Sequence, residues 1–224
     1  MNPAALADDV DRRIAGLDHP SIEPVRRIRR EVSAEIRDEP GGDVVALAFA
    51  LVGRHRWVAY ELLYHHPAGM AALTLDDVEA LGEGMADWGA VDTFGRYVSG
   101  PAWQRRRIPD AAVRRWAASS DRWWRRAALV STVPLNLAAA GGTGDTPRTL
   151  DICGRLVDDR DDMVVKALSW ALRALAVRDP GAVRAFLADH GDAVAARVRR
   201  EVRAKLDTGL KNPGRGTARK KPVS

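Results

Sequence analysis

The sequence DMVVKALSWALRALAVRDP at residues 162–180 carries the clearest helical pattern in the chain. Apolar side chains recur in it at spacings of three and four, which place them on one face of an α-helix: Val164, Val165, Leu168, Leu172 and Leu175. Trp170 and Arg173 lie away from this stripe, so we expect them to be partly exposed. The segment therefore predicts an amphipathic helix over residues 162–176, and Asp179-Pro180 predicts the start of the next one.

The same helical spacing continues in both directions from this segment, and no stretch has a convincing strand pattern. Helices are predicted over residues 5–15, 24–36, 43–53, 55–66, 88–98, 109–118, 121–137, 162–176, 180–188 and 192–210. Two more begin at Thr74, where Asp77 three residues later predicts a short form of the capping box, and at Thr146-Pro147, where Thr146 is the predicted N-cap. The clearest loop is AGGTGD at residues 140–145. The sequence thus predicts an all-α protein.

Pairs of these helices arrive at intervals near the forty-odd residues typical of HEAT-type repeats. An irregular helical bundle is the alternative, because the pairs share little sequence. One pattern does recur, a Trp followed three residues later by an Arg, as in Trp103/Arg106, Trp123/Arg126 and Trp170/Arg173. Such a pair puts an aromatic plane beside a cation on one helix face. We therefore expect an α-solenoid of stacked antiparallel helix pairs with a concave basic groove.

Length and composition fit one folded domain. Apolar residues make up 46% and charged residues 29% of 224, which is enough to build a core. The longest apolar run, residues 44–52, is too short to cross a bilayer, and no signal-like leader opens the chain. With Cys153 as its one cysteine, the chain cannot form an internal disulfide. We expect a cytoplasmic, nucleoid-associated monomer with a domain over residues 1–210 and a disordered basic tail over 211–224.

Positive charge is concentrated in the middle of the chain. Residues 96–126 contain nine Arg against Asp110 and Asp121, whereas residues 1–95 contain 9 basic and 17 acidic side chains. A localised field of Arg suits a polyanion, because guanidinium groups hold phosphates and release counterions. The alternative is a set of solvated helix faces in an Arg-rich protein. The charge pattern alone leaves both interpretations open.

Trp88 and Asp92 are four residues apart, so one helix face would carry an indole beside a carboxylate. This pattern also fits a buried Trp next to an Asp that caps a helix or pairs with a neighbour. In the functional interpretation, the indole packs on a sugar or base while the carboxylate faces developing positive charge. The sequence does not choose between the two.

Several other patterns argue against other kinds of site. The adjacent Trp123 and Trp124 must point in different directions, which leaves one of them for the surface with an Arg. The acidic run at residues 158–162 precedes a helix and is better explained by the helix dipole than by a metal. The five His residues lack metal-site spacing, and the glycines of residues 141–144 lack the Lys of a phosphate loop. We therefore expect no metal and no cofactor.

Three features in this order resemble a known family: Trp-x3-Asp in a mid-chain helix, then WWRRAAL at residues 123–129, then KALSWALR at 166–173 followed by Asp179-Pro180. The sequence resembles the AlkD-type DNA alkylation repair glycosylases, which are all-helical HEAT-like proteins. The resemblance spans about residues 57–206 and is strongest over 166–180.

This resemblance implies a function and a set of site residues. It implies release of N3- or N7-alkylated purines from double-stranded DNA without flipping of the damaged base into a pocket, in contrast to most base chemistry. Trp88, Asp92 and Trp170 match the family's catalytic cleft, and Arg126 and Arg173 match its DNA-backbone and cleft-lining positions. With the Arg-rich helix and the matching segment, we also expect Arg125, Trp123 and Lys166 to contact DNA. The alternatives are a non-catalytic binder of distorted or branched DNA and a protein–protein adaptor.

Overall fold

The structure is a computed structural model that describes residues 1–212, so most of the predicted tail lies outside the described residues. Within residues 1–212 the chain forms helices and no strand. The α-helices are α1 (Pro3–Ala15), α2 (Ile22–Glu35), α3 (Gly41–Val52), α4 (Arg56–Tyr64), α5 (Pro67–Ala72), α6 (Leu75–Gly82), α7 (Trp88–Phe94), α8 (Gly100–Gln104), α9 (Asp110–Ala117), α10 (Arg122–Ser131), α11 (Val133–Asn136), α12 (Thr146–Arg155), α13 (Asp162–Leu175), α14 (Pro180–His190) and α15 (Ala196–Thr208). The predicted all-α solenoid is confirmed.

The helices form two layers. Helices α2, α4, α7, α10, α13 and α15 pack one against the next through the length of the molecule. Helices α1, α3 and α5 cover the first part of this row, and α9, α12 and α14 cover the rest. We call the row from α2 to α15 the inner layer. Every candidate site residue predicted from the sequence lies on one of its helices. The predicted concave basic groove along the whole stack stays a prediction.

The apolar stripes predicted from the sequence form the core between the layers. On α13, Val164, Leu168, Leu172 and Leu175 are buried, while Trp170 and Arg173 are only partly so, as predicted. None of the helices among residues 1–212 is both long and apolar enough to span a bilayer.

Several helix ends follow local capping rules. Thr74 and Asp77 form the expected capping box at the start of α6. Asp179 caps α14 by accepting from the backbone N–H of Ala182. At α12 the predicted cap is one residue off: Asp145 accepts from the backbone N–H of Arg148, and Thr146 is already helical.

The predicted helix over residues 88–98 is wrong at its C-terminal end. Helix α7 runs through a π-helical turn at Gly95–Ser99 directly into α8, which contains Pro101. A Pro ring clashes with the carbonyl of the preceding turn, and a π turn relieves that clash by widening the helix. Neighbouring helices also require glycine here, because a Cβ at Gly95 would lie 2.6 Å from Val130 Cγ1.

Two other predicted boundaries are wrong as well, and one short helix was not predicted. Helix α4 ends before Pro67, as predicted, but Pro67 then starts α5, with the His66 ring as its cap. The predicted helix over 121–137 is divided at Thr132 into α10 and α11, with Pro134 in the first turn of α11. The last helix begins at Ala196 and ends at Thr208, where Gly209 adopts a positive φ of 75°.

Candidate functional site

A cleft of about 590 Å³ opens where α7, α10, α13 and α15 meet. We call it the indole cleft, and its lining residues are Trp88, Arg126, Met163, Lys166, Trp170, Arg173, Arg197 and Lys211. Two indoles and five cationic side chains thus surround one space. Of the eight residues predicted from the sequence, five line this cleft: Trp88, Trp170, Arg126, Arg173 and Lys166.

Asp92 is not itself among the lining residues, but it is bound directly to one of them, Arg126. Arg126 donates from Nε to Asp92 Oδ1 at 2.9 Å and from Nη2 to Oδ2 at 2.9 Å. Its third nitrogen, Nη1, donates to the backbone carbonyl of Met163 at the start of α13. Forked pairing of this kind fixes the plane of both groups. One guanidinium therefore joins α7, α10 and α13 at the cleft.

Burial affects the two partners differently. Arg126 is 5% exposed and the Asp92 side chain 20%. Burial raises the pKa of Asp92, while the hydrogen bonds and charge of Arg126 act to lower it. Burial has the larger effect, so the pKa of Asp92 lies above its usual value. Each carboxylate oxygen keeps an acceptor position beyond the one that Arg126 uses.

These contacts change the expected role of Arg126. The sequence predicted a contact with the DNA backbone, but all three guanidinium nitrogens have partners inside the protein. The alternative interpretation of Asp92, as a carboxylate that pairs with a neighbour, is correct as far as the ion pair goes. We therefore treat Arg126 as the residue that positions Asp92.

The two indoles are accessible to different degrees. Trp88, in the first turn of α7, is 61% exposed, which is unusual for the largest side chain. Trp170 on α13 is partly buried against the core. Trp88 is thus not the buried Trp of the alternative interpretation, and both indoles border the same cleft.

The remaining cations of the cleft lie on α13, α15 and the residues just after it. Lys166 Nζ lies 2.6 Å from Asp162 Oδ2, and Arg197 Nη1 lies 3.2 Å from Asp162 Oδ1. Arg173 donates from Nε to Ser169 Oγ at 3.2 Å, and burial lowers its pKa. Lys211 Nζ lies 3.6 Å from Glu201. The sequence did not predict Arg197, Lys211 or Glu201, although the spacing of Arg197 and Glu201 by four on one helix was a usable signal.

Two predicted DNA contacts, Trp123 and Arg125, do not line the cleft. Arg125 donates from Nε to Asp159 Oδ2 at 2.7 Å and from Nη1 to two backbone carbonyls before α10. It therefore links two interhelical loops. Trp123 is partly buried beneath Arg122, whose guanidinium carbon lies 4.8 Å from the ring centroid. Its neighbour Trp124 packs against the core aromatics, so the two indoles diverge as predicted.

The Arg-rich block at residues 96–126 contributes only one of the five cations of the indole cleft, Arg126. Six of its nine Arg lie in ion pairs with carboxylates: Arg106, Arg114, Arg115, Arg122, Arg125 and Arg126. The other four cations that line the cleft come from residues 166–211. The expectation that the block holds phosphates stays a prediction.

A second cleft, of about 470 Å³, lies on the other side of α7 between α2 and α4. We call it the apolar cleft; Trp57, Ile22, Ala86, Gly89 and Ala90 supply its apolar surface. Its charged side chains already have partners. Arg26 and Arg29 both bind the buried Glu61. Arg56 donates to backbone carbonyls, and Asp87 accepts from the backbone N–H of Ala90.

Other candidate chemistry is absent from the described residues. The acidic run before α13 is used as predicted, since Asp161 accepts from the first backbone N–H groups of that helix. Residues 1–212 contain no group of three or more His, Cys, Asp or Glu side chains placed to hold a metal ion. Cys153 is fully buried, and burial raises the pKa of its thiol.

Comparison with known proteins identifies the family. No curated protein matches this sequence significantly. In fold the chain is similar to a predicted DNA alkylation repair enzyme from Enterococcus faecalis, with a TM-score of 0.65 and 16% identity, covering 92% of this chain and 95% of that chain. The family description that matches residues 13–206 is that of the DNA alkylation repair enzymes. The match covers most of the chain, and the protein therefore belongs to the DNA alkylation repair enzyme family.

Proposed function

We propose that this protein is a monofunctional DNA glycosylase that excises cationic N3- and N7-alkylated purines from duplex DNA in the indole cleft. The observation that carries the proposal is that Trp88 and Trp170 line one cleft whose wall residue Arg126 holds Asp92 in a forked ion pair. Membership of the DNA alkylation repair enzyme family supports the same conclusion.

The chemistry asks little of the protein at the leaving group. An N3- or N7-alkylated purine already carries a positive charge. When the glycosidic bond breaks, the base takes both bonding electrons and therefore departs as a neutral molecule. Neither a general acid nor a metal is required at that step. The difficulty lies in the deoxyribose, which becomes oxocarbenium-like as the bond breaks.

Asp92 supplies the negative charge for that sugar. Electrostatic groups that are already oriented toward developing charge contribute strongly to catalysis, because they do not reorganise during the reaction. The forked hydrogen bonds from Arg126 provide this orientation. The ionised carboxylate also accepts a proton from the attacking water, which completes hydrolysis at the sugar carbon.

The indoles act through their electron-rich faces. Each face that contacts the cationic sugar contributes about 0.5–2 kcal/mol. Trp88 has most of its surface free for this contact and Trp170 less. Lys166, Arg173, Arg197 and Lys211 lie at the same cleft and suit the phosphates on either side of the lesion.

Two other functions share parts of this geometry. A non-catalytic binder of distorted or branched DNA would use the cations and an exposed indole, but it has no need for a partly exposed carboxylate held in a fixed orientation by forked hydrogen bonds from an Arg. A protein–protein adaptor needs neither. Asp92 therefore favours the glycosylase.

The test is chromatography of bases released from duplex DNA by the purified protein. One duplex carries 7-methylguanine, which is cationic, and a matched duplex carries O6-methylguanine, which is neutral. We expect release of 7-methylguanine and none of O6-methylguanine. Binding of both duplexes without release of either base would contradict the glycosylase and support the non-catalytic binder.

A further inference from the structure

Three of the five cations of the indole cleft, Arg173, Arg197 and Lys211, are connected to one carboxylate that does not line the cleft. Glu201 on α15 is 3% exposed and lies behind the cleft. It accepts a hydrogen bond from Ser169 Oγ at 2.7 Å and one from Arg197 Nε at 3.1 Å. Lys211 Nζ lies 3.6 Å from Glu201 Oε2, the same oxygen that Ser169 binds. A buried carboxylate is costly unless it is paired, so Glu201 and these donors hold each other in place.

Ser169 connects Glu201 to Arg173. The Ser169 hydroxyl donates to Glu201 and accepts from Arg173 Nε at 3.2 Å. This contact uses one guanidinium nitrogen and leaves Nη1 and Nη2 for other acceptors. Burial lowers the pKa of Arg173, and the charge of Glu201 opposes that effect. The chain Glu201–Ser169–Arg173 thus fixes the cation that lies one helical turn from Trp170.

We propose that Glu201 is a positioning residue for DNA binding. It holds Arg197 directly and Arg173 through Ser169, so that Nη2 of Arg197 and both Nη1 and Nη2 of Arg173 meet the phosphates. This inference rests on the DNA-binding part of the proposed function. Glu201 touches no DNA in this arrangement, and its charge is opposite to that expected at a DNA-binding surface.

Charge and position predict opposite effects for one substitution, Glu201→Gln. Removing a negative charge near a polyanion tightens binding when charge alone matters. If Glu201 instead acts by holding Arg173 and Arg197 in place, the uncharged Gln should weaken DNA binding, because it holds the two guanidinium groups less firmly. We expect Glu201→Gln to raise the Kd for an undamaged duplex about threefold. Asp207→Asn is the matched control, because it makes the same charge change at an exposed position on α15 and should leave the Kd unchanged or lower it.

The experiment that tests the chain is a double-mutant cycle of Ser169→Ala and Arg173→Ala, read out as duplex Kd by fluorescence anisotropy at constant salt. We expect Arg173→Ala to weaken binding about tenfold, as for loss of a charged hydrogen bond. Ser169→Ala should weaken it about threefold in the wild-type protein and not at all in the Arg173→Ala background. Thermal unfolding of each variant confirms that the binding is measured on folded protein.

Two results would overturn the inference: equal effects of Ser169→Ala in both backgrounds, or tighter binding by Glu201→Gln than by the wild type. Because the duplex is undamaged, the outcome does not depend on base release. A protein that binds DNA through this chain and releases no base would refute the proposed glycosylase and leave the role of Glu201 intact.

Discussion

Two sites of the inner layer, on either side of α7, contain the same interaction. In each, an acidic side chain forms an ion pair with Arg from the neighbouring inner helix. At the apolar cleft, Arg26 and Arg29 of α2 bind Glu61 of α4, whose side chain is 4% exposed. At the indole cleft, Arg126 of α10 binds Asp92 of α7, which remains 20% exposed. The first carboxylate is enclosed by its partners. The second keeps part of its surface open.

The surroundings of the two pairs differ as well. Around Glu61 the neighbouring cleft is mostly apolar, and its charged side chains bind one another or backbone groups. Around Asp92 the neighbouring cleft has two indoles and five cations. An ion pair alone therefore does not mark a site. Partial exposure beside groups that suit a charged ligand separates a functional pair from one that joins two helices.

The largest expected effect on stability is at Glu61. Glu61→Ala leaves Arg29 buried without its charged partner, which should lower the free energy of unfolding by about 3 kcal/mol. Glu35→Ala is the control, since it removes one partner of the exposed pair with Arg13 and should change stability little. Urea unfolding followed by circular dichroism measures both. A loss at Glu61 no larger than that at Glu35 would show that the enclosed pair does not hold α2 to α4.

A smaller effect, on the rate of base release, is expected at Trp88 of the indole cleft, and Trp57 of the apolar cleft provides the comparison. Trp88→Ala should slow base release under single-turnover conditions about tenfold, the upper range of a cation–π contact. It should leave unfolding nearly unchanged, because the side chain is largely exposed. Trp57→Ala in the apolar cleft is the matched variant, and we expect it to reduce stability without slowing release. Equal slowing by both substitutions would remove the distinction between the clefts.

Much of the fold followed from local pattern. The stripe on α13 predicted the buried face of that helix and the partial exposure of Trp170. The continuation of α7 through Pro101 did not follow from local pattern, because it depends on close contact of Gly95 with Val130 on α10. Breaks and joins set by packing between helices cannot be predicted from residues within one helix.

The candidate site was predictable in part for a similar reason. Trp88 and Asp92 share a helix, so their spacing placed an indole beside a carboxylate, and the family resemblance made the pair a candidate site. The charge of the Arg-rich block was a poor guide to the cleft, because a count of charges does not show which Arg are paired with carboxylates from other helices. Arg197 and Lys211 reach the cleft only through the stacking of α15 on α13.

The most direct test of the account is the single-turnover rate of 7-methylguanine release by Asp92→Asn, with the duplex Kd measured on the same protein. The account predicts a loss of release of about 100-fold or more with little change in Kd, because the carboxylate acts on the sugar cation and the amide oxygen still accepts one of the two hydrogen bonds from Arg126. Asp87→Asn is the control on the same helix, since Asn preserves the N-cap and release should persist. Release by Asp92→Asn at the wild-type rate would contradict the account.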